Sequence, residues 1–263
     1  MAQIYRDGIA AEKAGDIAAA AAAFREALRL NPSDPGNWAV RLAALGVAAD
    51  PRHASPAYVR TLFDQIASDF DDRLVRRLGY GVPGELATAL MRIAPDGFAR
   101  GVDLGCGTGL VGQALNGFAR MLHGVDLSEG MLQRAWERRV YQNLFVGDAT
   151  RYLELAERNA YNLATAADVF PYVGTPERLL AAAAHALAPG GLFAFSTETM
   201  DTEAFEGRAW RVNRARRFAH ELGGLTTALQ AAGFEPLSVE CLIVRREAGQ
   251  PVLGHLVVAQ LLA

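Results

Sequence analysis

The stretch Val102-Asp-Leu-Gly-Cys-Gly-Thr-Gly-Leu110 limits what this chain can fold into more than any other. Apolar residues lead into an acid, and glycines follow on alternate positions at Gly105, Gly107 and Gly109. Such a run predicts a tight turn from a strand into a helix beginning near Leu110. It lets a ligand approach the backbone, toward which the helix N-terminus directs its free N–H groups. Downstream, the short apolar runs MLHGVDL, NLFVGD, NLATAADVF and GLFAFSTE alternate with amphipathic segments. This βαβ alternation predicts a parallel sheet. The runs SVECLIVRRE and VLGHLVVAQLL, joined through Gly249 and Pro251, predict an antiparallel pair that finishes it.

A chain of 263 residues, 51% hydrophobic, has the size of one to two domains and needs neither disulfides nor metals to hold its core. Cys106 and Cys241 lie far apart outside any Cys/His cluster, so no metal site is expected and a reducing compartment is the default. The amino terminus, MAQIYRDGIAAEKAG, is charged, and no window approaches ~18 uncharged apolar residues. A cytoplasmic protein without membrane contact is expected. Lys13 is the only lysine among 26 basic residues, and net charge is −3. That pattern reflects codon usage, and nucleic acid is not an expected partner.

Gly107, Gly109 and Gly112 also satisfy G-x-G-x-x-G, and Asp126 follows near the spacing of a ribose-binding acid, as in NAD proteins. Asp103 argues the other way, because a carboxylate at that strand mouth repels a pyrophosphate and suits a cationic ligand. The whole constellation is D-L-G-C-G-T-G, then G-V-D-L-S at 124–128, G-D-A at 147–149 and L-A-P-G-G-L at 187–192. It resembles the class I S-adenosylmethionine-dependent methyltransferases over roughly residues 98–200. The flanking segments YVRTLFDQIASDFDDRLVRRLGY, AADVFPYVG, RRFAH and REAGQPVLGHLVV look like those of methyltransferases with an amino-terminal tetratricopeptide segment.

That resemblance implies an α/β, Rossmann-like fold. Its seven-stranded sheet is mainly parallel, with the final strand antiparallel and inserted beside its neighbour. S-adenosyl-L-methionine is the implied cofactor and S-adenosyl-L-homocysteine the product. Asp126 would accept from both ribose hydroxyls; its alternative is a helix N-cap acid before Ser128. Leu127 and Met131, with Leu132, would wall the adenine. Asp148 would accept from the adenine amino group with Ala149 beside it, or would only cap the helix at 149–157. Asp103 would compensate the methionine ammonium, directly or through water, while Gly105, Cys106, Gly107 and Gly109 bring backbone against the amino-acid end. Cys106 also reads as a small packing residue. Ala167 and Asp168 lie where the methionine amino group and the substrate would meet the chain. Phe170 and Tyr172 would present rings near the sulfonium or pack the sheet against helix 175–188.

His220 and Tyr172 are the candidates for a general base, which a hydroxyl or amine acceptor needs and a carboxylate does not. Arg208, Arg211, Arg214, Arg216 and Arg217 either clamp an anionic acceptor or form a solvated helical face offset by Glu203, Glu206 and Glu221. His123 reads as structural, and His53, His185 and His255 show no pairing in the sequence.

Ahead of the core, residues 1–48 are helical in period and broken by Asn31, Pro32 and Pro35. The spacing of Gly8, Gly15, Ala20, Phe24, Ala27 and Pro32 resembles one tetratricopeptide repeat, with Trp38 opening part of a second. So few repeats cannot bury their own apolar face, so this hairpin is expected to cap the rest of the chain in preference to binding a peptide. Residues 49–97 read as a helical lid, with one helix at 58–80 and another at 85–93. Residues 98–263 read as the core, with an insertion at about 201–219. Asp168-Val-Phe-Pro-Tyr172 departs from the pattern of amino-methylating nucleic-acid enzymes. A small-molecule acceptor therefore ranks first and a protein recruited by the hairpin second. A non-catalytic assembly protein is the alternative outside the enzymes.

Overall fold

A computed structural model describes residues 2–263. The strands β1 (Phe98–Leu104), β2 (Ala119–Asp126), β3 (Asn143–Val146), β4 (Tyr161–Ala166) and β5 (Leu187–Glu198) form a parallel sheet in the order 3-2-1-4-5. Two short strands, β6 (Trp210–Val212) and β7 (Phe218–His220), pair antiparallel, and β7 meets the sheet only at Glu198. The long strands β8 (Phe234–Glu247) and β9 (Gln250–Leu261) form a hairpin. β9 runs antiparallel along β5 from Leu192↔Gln260 to Glu198↔Gly254. Ala248 and Gly249, at φ 47° and 79°, make the two-residue turn between them. Positive φ at both central residues matches the right-handed twist of the flanking strands. The antiparallel pair expected from the tail is therefore present. The sheet has nine strands instead of seven, because residues 201–219 contribute β6 and most of β7.

Both faces of the central strands are covered, as a mainly parallel sheet requires, while β3 and one face of β8 stay exposed. Alternate residues separate cleanly: Ala164, Phe193, Phe195, Val257 and Ala259 face α8 (Ala149–Leu155), α9 (Glu177–Ala186) and α10 (Leu222–Ala231). Their neighbours Leu163, Leu192, Ala194, Leu256 and Val258 face α5 (Val82–Ile93) and α6 (Leu110–Ala114). α7 (Glu129–Glu137) packs through Leu132 and Ala135 on Leu122 and Tyr141. Phe170 is fully buried and stacks on Phe195 at 4.3 Å, so it packs the sheet and presents no ring to a ligand.

The amino-terminal helices are α1 (Ala2–Ala14), α2 (Ile17–Leu30) and α3 (Trp38–Ala44). Asp16 caps α2 by accepting from Ala19 N at 2.9 Å, and Phe24 sits so close to Gly8 that a Cβ there would meet it at 2.7 Å. α3 places Val40 and Ala43 against Val212 and Phe218 of the β6–β7 hairpin. Arg41 pairs with Glu12 at 2.6 Å, and Arg216 of the same hairpin reaches Glu12 at 3.4 Å. The helical segment thus rests on the insertion.

The single helix expected over 58–80 is two pieces, α4 (Pro56–Ile66) and a π-helical turn over Asp72–Arg77. Ser55 caps α4, and Pro56 opens it where no N–H is needed. Pro83 likewise lies inside the first turn of α5, which begins three residues earlier than the glycines and proline around it suggest. No helix among the described residues is long and apolar enough to cross a membrane, and none of their Cys, His, Asp and Glu side chains cluster as metal ligands.

Candidate active site

A cavity of about 510 Å³ opens at the carboxyl ends of β1, β2 and β4, within the size range of small-molecule sites. Its floor is the glycine turn after β1, including Gly105, Cys106, Gly107 and Thr108. Gly105 and Gly107 adopt φ values of +61° and +53°, a conformation that favours glycine. A Cβ at Gly105 would strike Val169 Cγ2 at 2.6 Å, whereas one at Gly107 would project into open space with nothing nearer than 4.0 Å. Gly109 does not reach the cavity: it precedes α6 and packs against Arg138 and Tyr141. α6 itself is only five residues long, little more than one helical turn.

Asp126 ends β2 and lines the cavity. Its carboxylate accepts from Gly107 N and Ser128 N, each at 2.8 Å, so it ties the β1 turn to the start of α7. Burial raises its pKa against those two bonds. Leu127 lines the cavity beside it, but Met131, on α7, is fully buried and is absent from the lining. Leu132 likewise packs into the α7 core, so the expected wall for an adenine is reduced to Leu127. Asp148 caps α8 by accepting from Arg151 N at 2.9 Å, and it lines the cavity next to Ala149.

Asp103 departs from its expected place. It is buried under the glycine turn, where Tyr141 Oη donates at 2.6 Å and Thr165 Oγ1 at 2.8 Å, and it does not line the cavity. Burial pushes its pKa up to about 7 despite both donors. Cys106 lines the cavity and packs with Leu122 and Leu132; burial holds its thiol well above the usual range, so it is a packing residue and not a nucleophile.

Ala167 and Asp168 line the cavity at the end of β4. Asp168 has φ +59°, donates its N–H to Ser196 Oγ at 2.9 Å, and accepts from Arg245 at 3.2 and 3.4 Å. Tyr172 also lines the cavity, edge-on to Phe63 at 5.5 Å, and burial pushes its hydroxyl pKa upward. His220 does not reach the site. It lies on β7, 1% exposed, edge-on to Phe170, with neither ring nitrogen in hydrogen-bond contact, and burial lowers its pKa to about 4. The sequence places this histidine three residues past Arg217 as a candidate base, but the segment is a strand that turns the side chain inward.

The arginines form neither a clamp nor a helical face. Arg208 and Arg211 pair with Asp50 and Glu206, Arg216 with Glu12, and Arg217 with Glu198 and Glu247. Of the offsetting acids expected, only Glu206 takes part in these pairs. His123 bonds to Tyr161 Oη at 3.1 Å, away from the cavity, in a structural role.

The roof comes from the segment between the amino-terminal helices and α5. Val59, Phe63, Phe70, Leu74 and Tyr80 line it, and two acids fasten it. Asp64 accepts from Ser128 Oγ at 2.6 Å and Gly130 N at 3.1 Å; Asp71 accepts from Thr108 Oγ1 and pairs with Arg138. Arg52 and His53 complete the rim, the latter joined to Val173 by an antiparallel bridge. Sequence reading missed both, because a contact between the loop at 53 and the turn at 173 leaves no periodic or spacing signal.

The 3-2-1-4-5 sheet with an antiparallel strand inserted beside β5, a glycine turn after β1 and acids after β2 and β3 defines a Rossmann-like fold of the class I methyltransferase type. Residues 78–239 match the family described as "Methyltransferase domain", and the chain belongs to that family, its domain being of the class I S-adenosylmethionine-dependent kind. A ubiquinone biosynthesis O-methyltransferase of Coxiella burnetii is 28% identical over 106 residues, which is 40% of this chain and 45% of that protein. The match therefore spans under half of that relative's length. A crystal structure of an S-adenosylmethionine-dependent methyltransferase from Mesorhizobium loti is 26% identical, with TM-score 0.53 over 68% of this chain and all of that one. A Burkholderia thailandensis 1,6-didemethyltoxoflavin-N1-methyltransferase, solved with its substrate and S-adenosylhomocysteine, shares the fold at 18% identity. Its TM-score is 0.61 over 82% of this chain and 94% of that one.

Proposed function

We propose that this protein is an S-adenosyl-L-methionine-dependent methyltransferase acting on a small-molecule acceptor. The observation that carries the reading is the convergence of the Gly105–Gly107 turn, Asp126 and Asp148 on one cavity. The residues fit the cofactor: the open space above Gly107 is the cradle that a side chain would fill, and two acids stand at the ends of adjacent strands where hydroxyl and amino donors need acceptors. Asp126 would hold the ribose, since a carboxylate already taking two N–H bonds still has lone pairs free. Asp148 and Ala149 would take the adenine edge, with Leu127 against its face. Gly105, Cys106, Gly107, Ala167 and Asp168 would surround the amino-acid end, and Asp103 would act there only through the turn it supports. When bound, the cofactor supplies a methyl carbon whose bond to sulfur breaks, the electron pair passing to sulfur as the acceptor's lone pair forms the new bond. The chain's own share of the work is to hold that acceptor in line and to exclude water under the roof.

A small acceptor suits a mostly apolar cavity, and the relatives act in small-molecule chemistry, one as a ubiquinone biosynthesis O-methyltransferase and one as a 1,6-didemethyltoxoflavin-N1-methyltransferase. We divide the chain into a tetratricopeptide-like segment at 1–48, a lid at 49–97 and the methyltransferase core at 98–263. α3 uses its apolar face on the insertion, which favours a cap over a recruiting surface for a protein acceptor. A cytoplasmic location fits two unpaired cysteines. Calorimetric titration with S-adenosylhomocysteine, with NAD as the control ligand and Asp126→Ala as the control protein, tests the reading. Low-micromolar binding that the variant loses is expected; binding of NAD alone, or of neither, overturns it.

A further inference from the structure

His53 lines the cavity at the rim, exposed, next to Tyr172 and under the edge of the roof. Its backbone is fixed: the bridge to Val173 and the Ala54 N–H bond to Tyr172 O at 2.9 Å fasten this loop to the turn after β4. Its Nδ1 lies 3.0 Å from Ala54 O. A carbonyl accepts only, so this contact is a hydrogen bond when the proton sits on Nδ1, and that tautomer leaves a lone pair on Nε2.

Every other ionisable group on the cavity wall is already engaged or unsuited to take a proton. Asp126 accepts two backbone N–H bonds, Asp148 caps α8, and Asp168 is ion-paired to Arg245. Burial pushes the Cys106 thiol and the Tyr80 and Tyr172 hydroxyls upward, and Arg52 and Arg178 are cations.

Resting on the methyltransferase reading above, we infer that His53 Nε2 is the general base and that the acceptor atom is a phenolic hydroxyl. A carboxylate acceptor needs no base, an amine needs one only to shed the proton of its ammonium form, and imidazole takes the proton of an alkyl hydroxyl only as the new bond forms. A phenol, with a pKa of about 10 like that of tyrosine, falls within reach of imidazole. The aromatic walls Phe63 and Tyr172 suit the ring that carries it. The hydroxyl proton passes to Nε2, and the oxygen keeps the electron pair that makes the new bond.

The test uses 4-nitrophenol, whose phenolate absorbs in the visible, added to the full-length protein saturated with S-adenosylhomocysteine slightly below the phenol's own pKa. The wild type is expected to bind it with a rise in phenolate absorbance. His53→Asn keeps a donor for Ala54 O but lacks the base. It should bind S-adenosylhomocysteine within about twofold of wild type and lose the absorbance change; methyl transfer to a non-ionised phenol should fall roughly 10²–10⁴-fold, the usual worth of a general base. No binding of the probe, or equal ionisation in both proteins, overturns the assignment while leaving the cofactor reading intact. Failure to bind S-adenosylhomocysteine at all removes both.

Discussion

Asp103 and Asp126 are acids at the ends of neighbouring strands with different surroundings, and each makes a prediction. Asp103 has an ordinary value of 3.8 and a folded value of about 7. Because the folded value is the higher, its contribution to stability is complete below pH 3.8, declines as pH rises, and is gone above about 7. Asp103→Asn cannot ionise, so its melting temperature relative to wild type should improve as pH rises from about 3.8 and level off above about 7. Thermal melts at matched ionic strength read this directly, and a flat difference would show that Asp103 ionises without cost. Asp126→Asn keeps one oxygen for Gly107 or Ser128 but loses the charge. S-adenosylhomocysteine affinity should fall roughly 10–100-fold, the worth of about 1.5–3 kcal/mol in charge-assisted bonds, with a smaller change in melting temperature. The strand-end acids were legible in the sequence because their strands are short apolar runs with the acid at a fixed end. Whether an acid faces the cavity or the layer beneath was not legible, since Tyr141 and Thr165 approach Asp103 from other parts of the chain.

The roof shows why elements were easier to read than their breaks. Apolar residues at helical spacing run from Tyr58 to Leu74, so periodicity alone gives one continuous helix. Asp64 and Asp71 instead bond to two separate places, the start of α7 and the glycine turn; the chain turns between them and continues past Asp71 as a π-helical segment. A sequence pattern carries no sign of the partners Ser128 and Thr108. Because these two fastenings join the roof to the floor, Asp64→Ala combined with Asp71→Ala should speed S-adenosylhomocysteine dissociation several-fold and open residues 66–79 to protease, with the sheet's far-UV signal retained. Stopped-flow release and limited proteolysis measure the two effects; unchanged release would mean that the roof does not gate the cavity. The insertion was misread for a related reason. Its arginine density suggests a polar helical face, yet Trp210, Val212 and Phe218 alternate on a short hairpin that seats α3. Phe218 is fully buried there, so Phe218→Ala should cost about 3–5 kcal/mol and loosen the amino-terminal helices before the core, a sequence that thermal melts with hydrogen exchange would resolve.

Across the whole molecule, one buried ionic cluster joins three parts that the sequence leaves separate. Arg245 on β8 bonds to Glu198 at the end of β5, to Asp168 on the cavity wall and to Glu247; Arg217 of the insertion bonds to Glu198 and Glu247. Arg245 and Glu198 are 4% and 1% exposed, so neither charge has water to fall back on. Three carboxylates against two guanidiniums leave the cluster one negative charge beside the cavity, a field that suits a cationic cofactor. Removing one partner of such a set leaves the others unpaired: Arg245→Met should destabilise the fold by about 3–5 kcal/mol. Combining it with Glu198→Leu removes the stranded acid and should restore most of that loss, because a buried pair often contributes little net stability compared with an apolar pair of similar size. Cofactor affinity should behave differently. Asp168 holds a left-handed backbone conformation at the cavity wall with Arg245 as its charged partner, and the double variant restores neither the charge nor the position of that carboxylate. Urea unfolding and S-adenosylhomocysteine calorimetry on the single and double variants therefore separate the two roles. Stability recovered without affinity means that the cluster is kept to orient Asp168; recovery of both means that it serves only to fasten the insertion to the sheet.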